Sequence, residues 1–216
     1  MTTAAHDLDT RGRLLDAARA LFSERGFEDV TVRDICAAAG ANLALVNYYF
    51  GDKQGLYREI AEEAVAILRR FNEVATSPPA GSTAEQKLAH FVRVFLRRVL
   101  GGEGWEAWVH RIMQQELSRP TEAAALIGRE AIAPRIRWLG TVVAELLGCP
   151  PTDPSVGQCV ASVHGLCLAY ARARQVPEAF RQAVPELAAT DRLDLDAQIE
   201  HVVTFSLAGI QAVGGK

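Results

Sequence analysis

The stretch GANLALVNYYFGDKQGLY, residues 40–57, brings together Asn42, Asn47, Tyr48, Tyr49, Phe50, Lys53 and Tyr57. From Gly40 to Gly51 no side chain is ionised at neutral pH. Amides, phenols and small apolar groups make a poor core and an unusual solvent face. They suit a surface that meets base edges, where donors, acceptors and a thymine methyl alternate. Charge is then needed only at the flanks, where phosphates lie, and Arg33 and Lys53 stand there.

Other chemistries find less support. No G-x-S-x-G, P-loop, H-E-x-x-H or carboxylate cluster is present, which argues against a helical enzyme. His110 stands four residues after Glu106, a spacing that suits a hydrogen bond or ion pair better than a metal site; no metal or other cofactor is expected. His164 shares a helical stripe with Val160 and Cys167 and reads as a core or interface histidine. Cys36, Cys149, Cys159 and Cys167 form no C-x-x-C pair. Cys159 and Cys167 lack a basic neighbour in sequence that would activate them. Trp105, Trp108, Met113 and Trp138 fit either a cavity lining or plain core packing.

The elements that must position these residues are helices. Leu14, Leu15, Ala18, Leu21 and Phe22 mark a first helix from about Thr10 to Arg25, closed by Gly26. Thr31 and Asp34 form a capping box for a second, with Val32, Ile35, Cys36 and Ala39 inward. Gly40 ends it, and Asn42 caps a third that runs to about Tyr49, with Val46 and Phe50 turned inward. Two short helices joined by AGAN follow the helix-turn-helix plan. Asp52 caps a fourth helix, and TSPPAGST at 76–83 is a linker. Further apolar stripes and breaks bring the total to about nine helices, with Pro134 expected to kink or interrupt one of them. No convincing strand is found. The all-α reading divides into residues 1–52, a connecting helix 53–76, and a C-terminal domain 77–216.

The chain has 216 residues, 49% of them hydrophobic, and a net charge of −3. It is no general polyanion binder, so any nucleic-acid contact must be local. Residues 1–60 hold seven Lys/Arg against nine Asp/Glu, which weighs against DNA binding. No signal peptide or membrane span is evident, so a cytoplasmic protein with reduced thiols is expected.

Residues 10–57 resemble the DNA-binding domain of the TetR/AcrR family of bacterial repressors. Gly26, Phe27, Thr31, Ile35, Ala39, Gly40, Phe50, Lys53 and Leu56 carry the match at the right spacing. Many members have L-Y where this chain has Val46-Asn47. The segment IMQQELSRPTEAAALIGREAIAPRIRWL resembles the C-terminal domain of a cefoperazone- and chloramphenicol-sensitivity regulator branch. The resemblance implies an N-terminal three-helix helix-turn-helix domain and a C-terminal helical domain for ligand binding and dimerisation. It implies a homodimeric repressor on palindromic operator DNA, released by an inducer in the C-terminal domain; the tryptophans and phenylalanines of that domain point to a small apolar or aromatic one. Thr31, Arg33, Asn42, Leu43, Ala44, Leu45, Asn47, Tyr48, Tyr49 and Lys53 are the expected DNA contacts. Phe91, Phe95, Trp105, Trp108, His110, Arg111, Met113, Gln114 and Trp138 are the expected ligand contacts, with GGEG at 101–104 as a joint. Val156, Val160, Val163, His164, Cys167, Ile199, Val203, Leu207 and Ile210 are the expected dimer contacts, because their two helices are apolar over more than one face. The alternative is a helical small-molecule binder without DNA binding.

Overall fold

The structure, a computed structural model, describes residues 2–101, 107–173, 176–184 and 194–215. Its helices are α1 (Thr2–Arg25), α2 (Val32–Ala39), α3 (Leu43–Phe50), α4 (Lys53–Ala75), α5 (Ala84–Gly101), α6 (Ala107–Ser118), α7 (Glu122–Ile127), α8 (Ala133–Leu147), α9 (Pro154–Ala173), α10 (Glu178–Ala183) and α11 (Leu195–Gly214). No strand occurs among the described residues. The all-α expectation holds, with more and shorter pieces than nine helices. Helix α1 begins at Thr2, a full two turns before the expected Thr10.

Local chemistry sets the ends of the front helices. The Thr31 hydroxyl accepts from the Asp34 amide at 3.2 Å, and the Asp34 carboxylate accepts from the Thr31 amide at 2.9 Å. These two bonds satisfy amides that the first turn of α2 would otherwise leave unpaired. The bond from the Thr31 amide, joined by one from the Thr31 hydroxyl, also holds the Asp34 carboxyl below its ordinary pKa. Gly40 closes α2 at φ 58°, a left-handed conformation that a side chain would strain. Between α7 and α8 lies a π-helical turn, Gly128–Ile132. Pro134 follows at once, and its missing N–H interrupts the regular ladder as expected.

Close contacts divide the chain into two compact units interleaved in sequence. One is Met1–Arg69 with Glu106–Ile132; the other is Arg70–Trp105 with Ala133–Lys216. The division expected at residues 52 and 76 followed chain order, whereas packing groups α6 and α7 with α1 and the first part of α4.

In the first unit, Leu14, Ala18, Phe22, Ile35, Val46, Leu56 and Ile60 are fully buried. Phe22, Phe27 and Tyr57 stack around one another, with centroids 4.9–5.8 Å apart. The Tyr57 hydroxyl donates to Glu116 Oε1 at 2.6 Å. Glu116 is a buried carboxylate that also accepts from the Thr121 amide at 2.9 Å and the Thr121 hydroxyl at 3.0 Å. Burial and this acceptor push the Tyr57 phenol well above its ordinary pKa. Gln115 Nε2 donates to the Ser23 carbonyl at 3.1 Å, and Arg119 pairs with Asp29 at 3.3 Å. The Arg19 guanidinium lies 5.3 Å from the Trp108 ring centroid.

In the second unit, Leu88, Phe91, Val92, Leu96, Leu139, Val143, Cys167 and Val202 form the centre of a continuous core. Charge pairs lie at its rim: Arg93–Glu200 at 2.6 Å, Arg97–Asp196 at 3.0 Å and Lys87–Glu145 at 2.7 Å.

Two predictions follow from the packing. Tyr57→Phe removes one atom yet leaves buried Glu116 short of a donor, so it should cost about 1–3 kcal/mol in urea unfolding. Tyr48→Phe, on an exposed ring, should stay within about 0.5 kcal/mol. In the second unit, burial and the neighbouring Arg135 lower the His164 pKa to about 4. Below the ordinary histidine value near about 6.5 the unfolded chain binds a proton that the folded chain refuses. Stability should therefore fall as pH drops from that value toward about 4. His164→Gln should flatten that part of the stability–pH curve, and an unchanged slope would contradict the assignment.

Candidate functional site

Helix α3 is held by its own apolar stripe. Val46 and Phe50 are buried, and the Arg11 guanidinium lies 5.2 Å from the Phe50 ring centroid. Asn42 caps the helix, its Oδ1 accepting from the Ala44 amide at 2.8 Å. With the inner stripe fixed, helical geometry turns Leu43, Ala44, Asn47 and Tyr48 outward. Leu43 is 47% exposed and Tyr48 74% exposed, far more than an apolar or aromatic side chain needs. Tyr49 and Leu45 are half-buried at the edges of this face, and the Tyr48 and Tyr49 rings meet edge-on at 5.0 Å.

The flanking residues divide into free and committed groups. Arg33 is exposed, and no described residue pairs with it. Lys53 opens α4 with its ammonium 4.3 Å from the Phe27 ring centroid, which anchors the charge beside the end of α3. The Thr31 hydroxyl is committed to the capping box, donating to Asp34 Oδ2 at 2.8 Å. Asn42 has likewise committed its oxygen and keeps only its amide N–H groups for another partner. Arg13 was not anticipated: exposed on α1, it places Nη1 3.8 Å from where a Cβ at Gly40 would stand, beside the turn. The basic TRGR run at 10–13 was its only sequence signal.

Several acidic side chains of residues 1–60 are paired with cations, of which Arg119 alone comes from outside that segment. Asp16 pairs with Arg19 at 2.7 Å, Glu59 with Arg11, Asp9 with Arg13 at 3.5 Å and Asp29 with Arg119. No carboxylate stands on α3.

The expected ligand residues fall in different units. In the second, Phe91, Phe95 and Trp138 come together, with Phe91 5.9 Å from Phe95 and 6.0 Å from Trp138. Trp108, His110, Arg111, Met113 and Gln114 belong to the first unit, on α6. There His110 Nε2 lies 2.9 Å from Gln114 Nε2, and Arg111 and Gln114 line a cleft of about 480 Å³ beside Gly26 and Phe27. Trp105 and residues 102–104 of the joint lie outside the described residues.

The expected dimer residues need correction at the level of side chains. Val156, Val160, Val163, Cys167, Ile199, Val203 and Ile210 are buried within the single chain, and His164 and Leu207 are half-buried. Helices α9 and α11 are apolar on several sides because α5 and α8 pack against them. Their outward faces carry other residues: Gly157, Ala161, Gly165 and Ala169 on α9, and His201, Phe205, Ala208 and Gly209 on α11. Cys36, Cys159 and Cys167 are buried, free thiols. Burial pushes the Cys167 thiol up to about 12, so it is a poor redox nucleophile.

Among the described residues no helix is long and apolar enough to cross a membrane.

Comparison with known proteins agrees with this geometry. Residues 14–60 match the bacterial regulatory proteins of the tetR family. Residues 84–210 match the C-terminal domain of the HTH-type transcriptional dual regulator CecR. The HTH-type transcriptional dual regulator CecR of Shigella flexneri is 27% identical over 156 residues, 65% of this chain and 66% of that protein. The HTH-type transcriptional regulator BetI of Agrobacterium fabrum is 31% identical over 145 residues, 66% of each chain. The chain thus spans slightly less than two thirds of either relative. A TetR-like transcriptional regulator from Rhodococcus sp. RHA1 shares the fold at a TM-score of 0.60, with 19% identity over 93% of this chain and 95% of that one. With its helix-turn-helix head and its C-terminal helices both matched, the chain belongs to the TetR family of bacterial regulatory proteins and carries a C-terminal domain of the CecR type.

Proposed function

We propose that the protein is a DNA-binding transcriptional repressor that acts as a homodimer and leaves its operator when a small apolar or aromatic ligand binds. The observation that carries the reading is the outward face of α3. It exposes Leu43, Ala44, Asn47 and Tyr48 and bears no charge. A solvent face would carry Lys or Glu there, and a core face would be covered. In the major groove the Asn47 amide can pair with an adenine edge, and Leu43 and Ala44 can meet thymine methyls. Arg33, Arg13 and Lys53 are placed for phosphates on either side. Helix α4 contributes residues to both units. A ligand bound more tightly by one arrangement of the dimer would shift the population between arrangements, and only one spacing of two recognition helices fits successive grooves. Chemistry on a substrate has no part in this reading.

DNA fragments selected by the purified protein supply the test. Arg33→Ala should weaken binding to every sequence alike and lower the log–log salt slope by about one per protomer. Asn47→Ala should instead cost about 1–3 kcal/mol at one or two base pairs per half-site and leave the salt slope unchanged. Failure to select any sequence would favour a ligand binder without DNA binding.

The dimer is read from the outward faces of α9 and α11. Gly157, Ala161, Gly165 and Ala169 recur every four residues on α9, which lets a partner helix approach closely. Phe205 on the outward face of α11 is 62% exposed, and an exposed ring of this kind favours a partner surface. Ala161→Arg should give a folded monomer in analytical ultracentrifugation that no longer binds operator DNA. Val160→Arg, one residue away and buried, should unfold the second unit instead. A folded Ala161→Arg dimer would move the interface elsewhere.

A further inference from the structure

Arg135 is the buried cation of the second unit. It is 3% exposed, and it is the buried basic side chain among the described residues. Its neighbours do not neutralise it. The guanidinium carbon lies 5.5 Å from the Phe95 ring centroid and 5.9 Å from that of Phe71. Arg98 approaches the same Phe71 ring at 5.1 Å. From α9, His164 offers Nε2 to Arg135 Nη2 at 3.3 Å, and Cys167 faces it as a neutral thiol. Arg135 Nε is buried and finds no acceptor among the described residues. Other basic groups of this unit do find carboxylates, Arg93 with Glu200 and Arg97 with Asp196. Among the described residues no carboxylate pairs with Arg135, the buried cation.

A desolvated guanidinium without a counterion is costly, and ring faces recover only part of that cost. A structural role would be served better by a methionine of similar size. Burial indeed lowers the Arg135 pKa to about 10, as an uncompensated charge requires. The unused Nε and the weakly used Nη2 form a planar fork, the arrangement that binds two oxygens of one carboxylate. Around it the packing is aromatic: Phe95 and Phe71 lie against the guanidinium, and Phe91 and Trp138 follow Phe95 within the core. His164 also lines a largely apolar open cleft of about 610 Å³ between α8 and α9, with Ile136, Gly140, Val156 and Val160. Its ring therefore stands between that cleft and the guanidinium.

We propose that Arg135 anchors the carboxylate of an organic acid whose apolar body lies in the cleft between α8 and α9 that His164 lines. The imidazole of His164 holds the fork until the acid arrives, accepting one weak hydrogen bond, and yields it to the stronger carboxylate. The proposal rests on the reading of the second unit as a ligand sensor and adds the ligand's charge and the residue that recognises it.

The test uses the full-length protein with benzoate, cinnamate and octanoate, the amide of each, and inorganic phosphate. Binding is read by thermal shift and titration calorimetry. At least one acid should stabilise the wild type, with its amide about tenfold weaker or worse. In Arg135→Met that preference for the acid should vanish, while Arg135→Lys keeps part of it. Ligand-free Arg135→Met should melt at or above the wild-type temperature, because it removes an unpaired buried charge. The proposal is overturned if no acid outperforms its amide, if phosphate stabilises as well as the acids do, or if ligand-free Arg135→Met melts well below the wild type. Release of selected DNA is measured separately. An acid that binds through Arg135 and leaves DNA bound upholds the site and refutes the ligand-released repressor.

Discussion

The burial of Val46 and Phe50 decides what α3 can present. A helix of eight residues has too few turns to persist alone, so it exists because tertiary packing fixes one stripe. Phe50 lies in the core of the first unit, and Arg11, itself paired with Glu59 on α4, rests on its ring. Once that stripe is committed, the outward positions follow from a rotation of about 100° per residue. Nothing else in the chain chooses Asn47 and Tyr48 for the surface. The neighbouring devices serve the same constraint: the Thr31–Asp34 box fixes where α2 starts, Gly40 permits the sharp turn, and Asn42 fixes where α3 starts.

That part of the molecule was readable in the sequence because its information is local. A capping box spans four residues, a left-handed glycine one, and an apolar stripe two turns. The grouping of α6 with the DNA-binding head was not readable in the same way. It depends on Tyr57 meeting Glu116, 59 residues apart, and on Gln115 reaching the Ser23 carbonyl, 92 residues apart. A tyrosine and a glutamate are ordinary in composition, and neither announces its partner. The dimer residues were misplaced for a different reason. Apolar positions on several sides of α9 and α11 fit an exposed interface as well as a helix enclosed by its own chain. Periodicity counts apolar faces without saying which neighbour covers them. In the proposed dimer the small exposed residues Gly157, Ala161 and Gly165 carry the signal instead, because an exposed helix surface ordinarily carries longer polar side chains. Tryptophan content misled similarly: Trp108 lies against Arg19 in one unit and Trp138 beside Phe91 in the other.

Among the described residues one acidic and one basic side chain are buried, Glu116 and Arg135, each in its own unit, and their surroundings are opposite in kind. Glu116 receives the Tyr57 hydroxyl, the Thr121 amide and the Thr121 hydroxyl. A carboxylate with three donors has its lost hydration replaced, so it can tie α6 and the turn before α7 to α4 without a cation. Such a knot favours one geometry and penalises departures from it. Arg135 has rings, a neutral histidine and a neutral thiol. Neither neighbour can supply negative charge: Cys167 loses its proton only near pH 12, and His164 can at most become positive.

The contrast bears on how a small-molecule sensor can be both stable and responsive. A core in which every polar group is satisfied has little to gain from a ligand beyond apolar contact, and apolar contact alone discriminates weakly between similar molecules. A core that keeps one cation unsatisfied is less stable when empty, and the deficit is recovered only by a ligand with the matching charge. The deficit thus becomes differential affinity, the one quantity by which a ligand can shift a conformational equilibrium. It also accounts for the placement of Arg135 deep among Phe71, Phe95 and His164 rather than at the rim with Arg93 and Arg97. At the rim, water would screen the charge and a carboxylate would bind too weakly to move the equilibrium. Buried, the same guanidinium makes the filled and empty states differ by enough to matter.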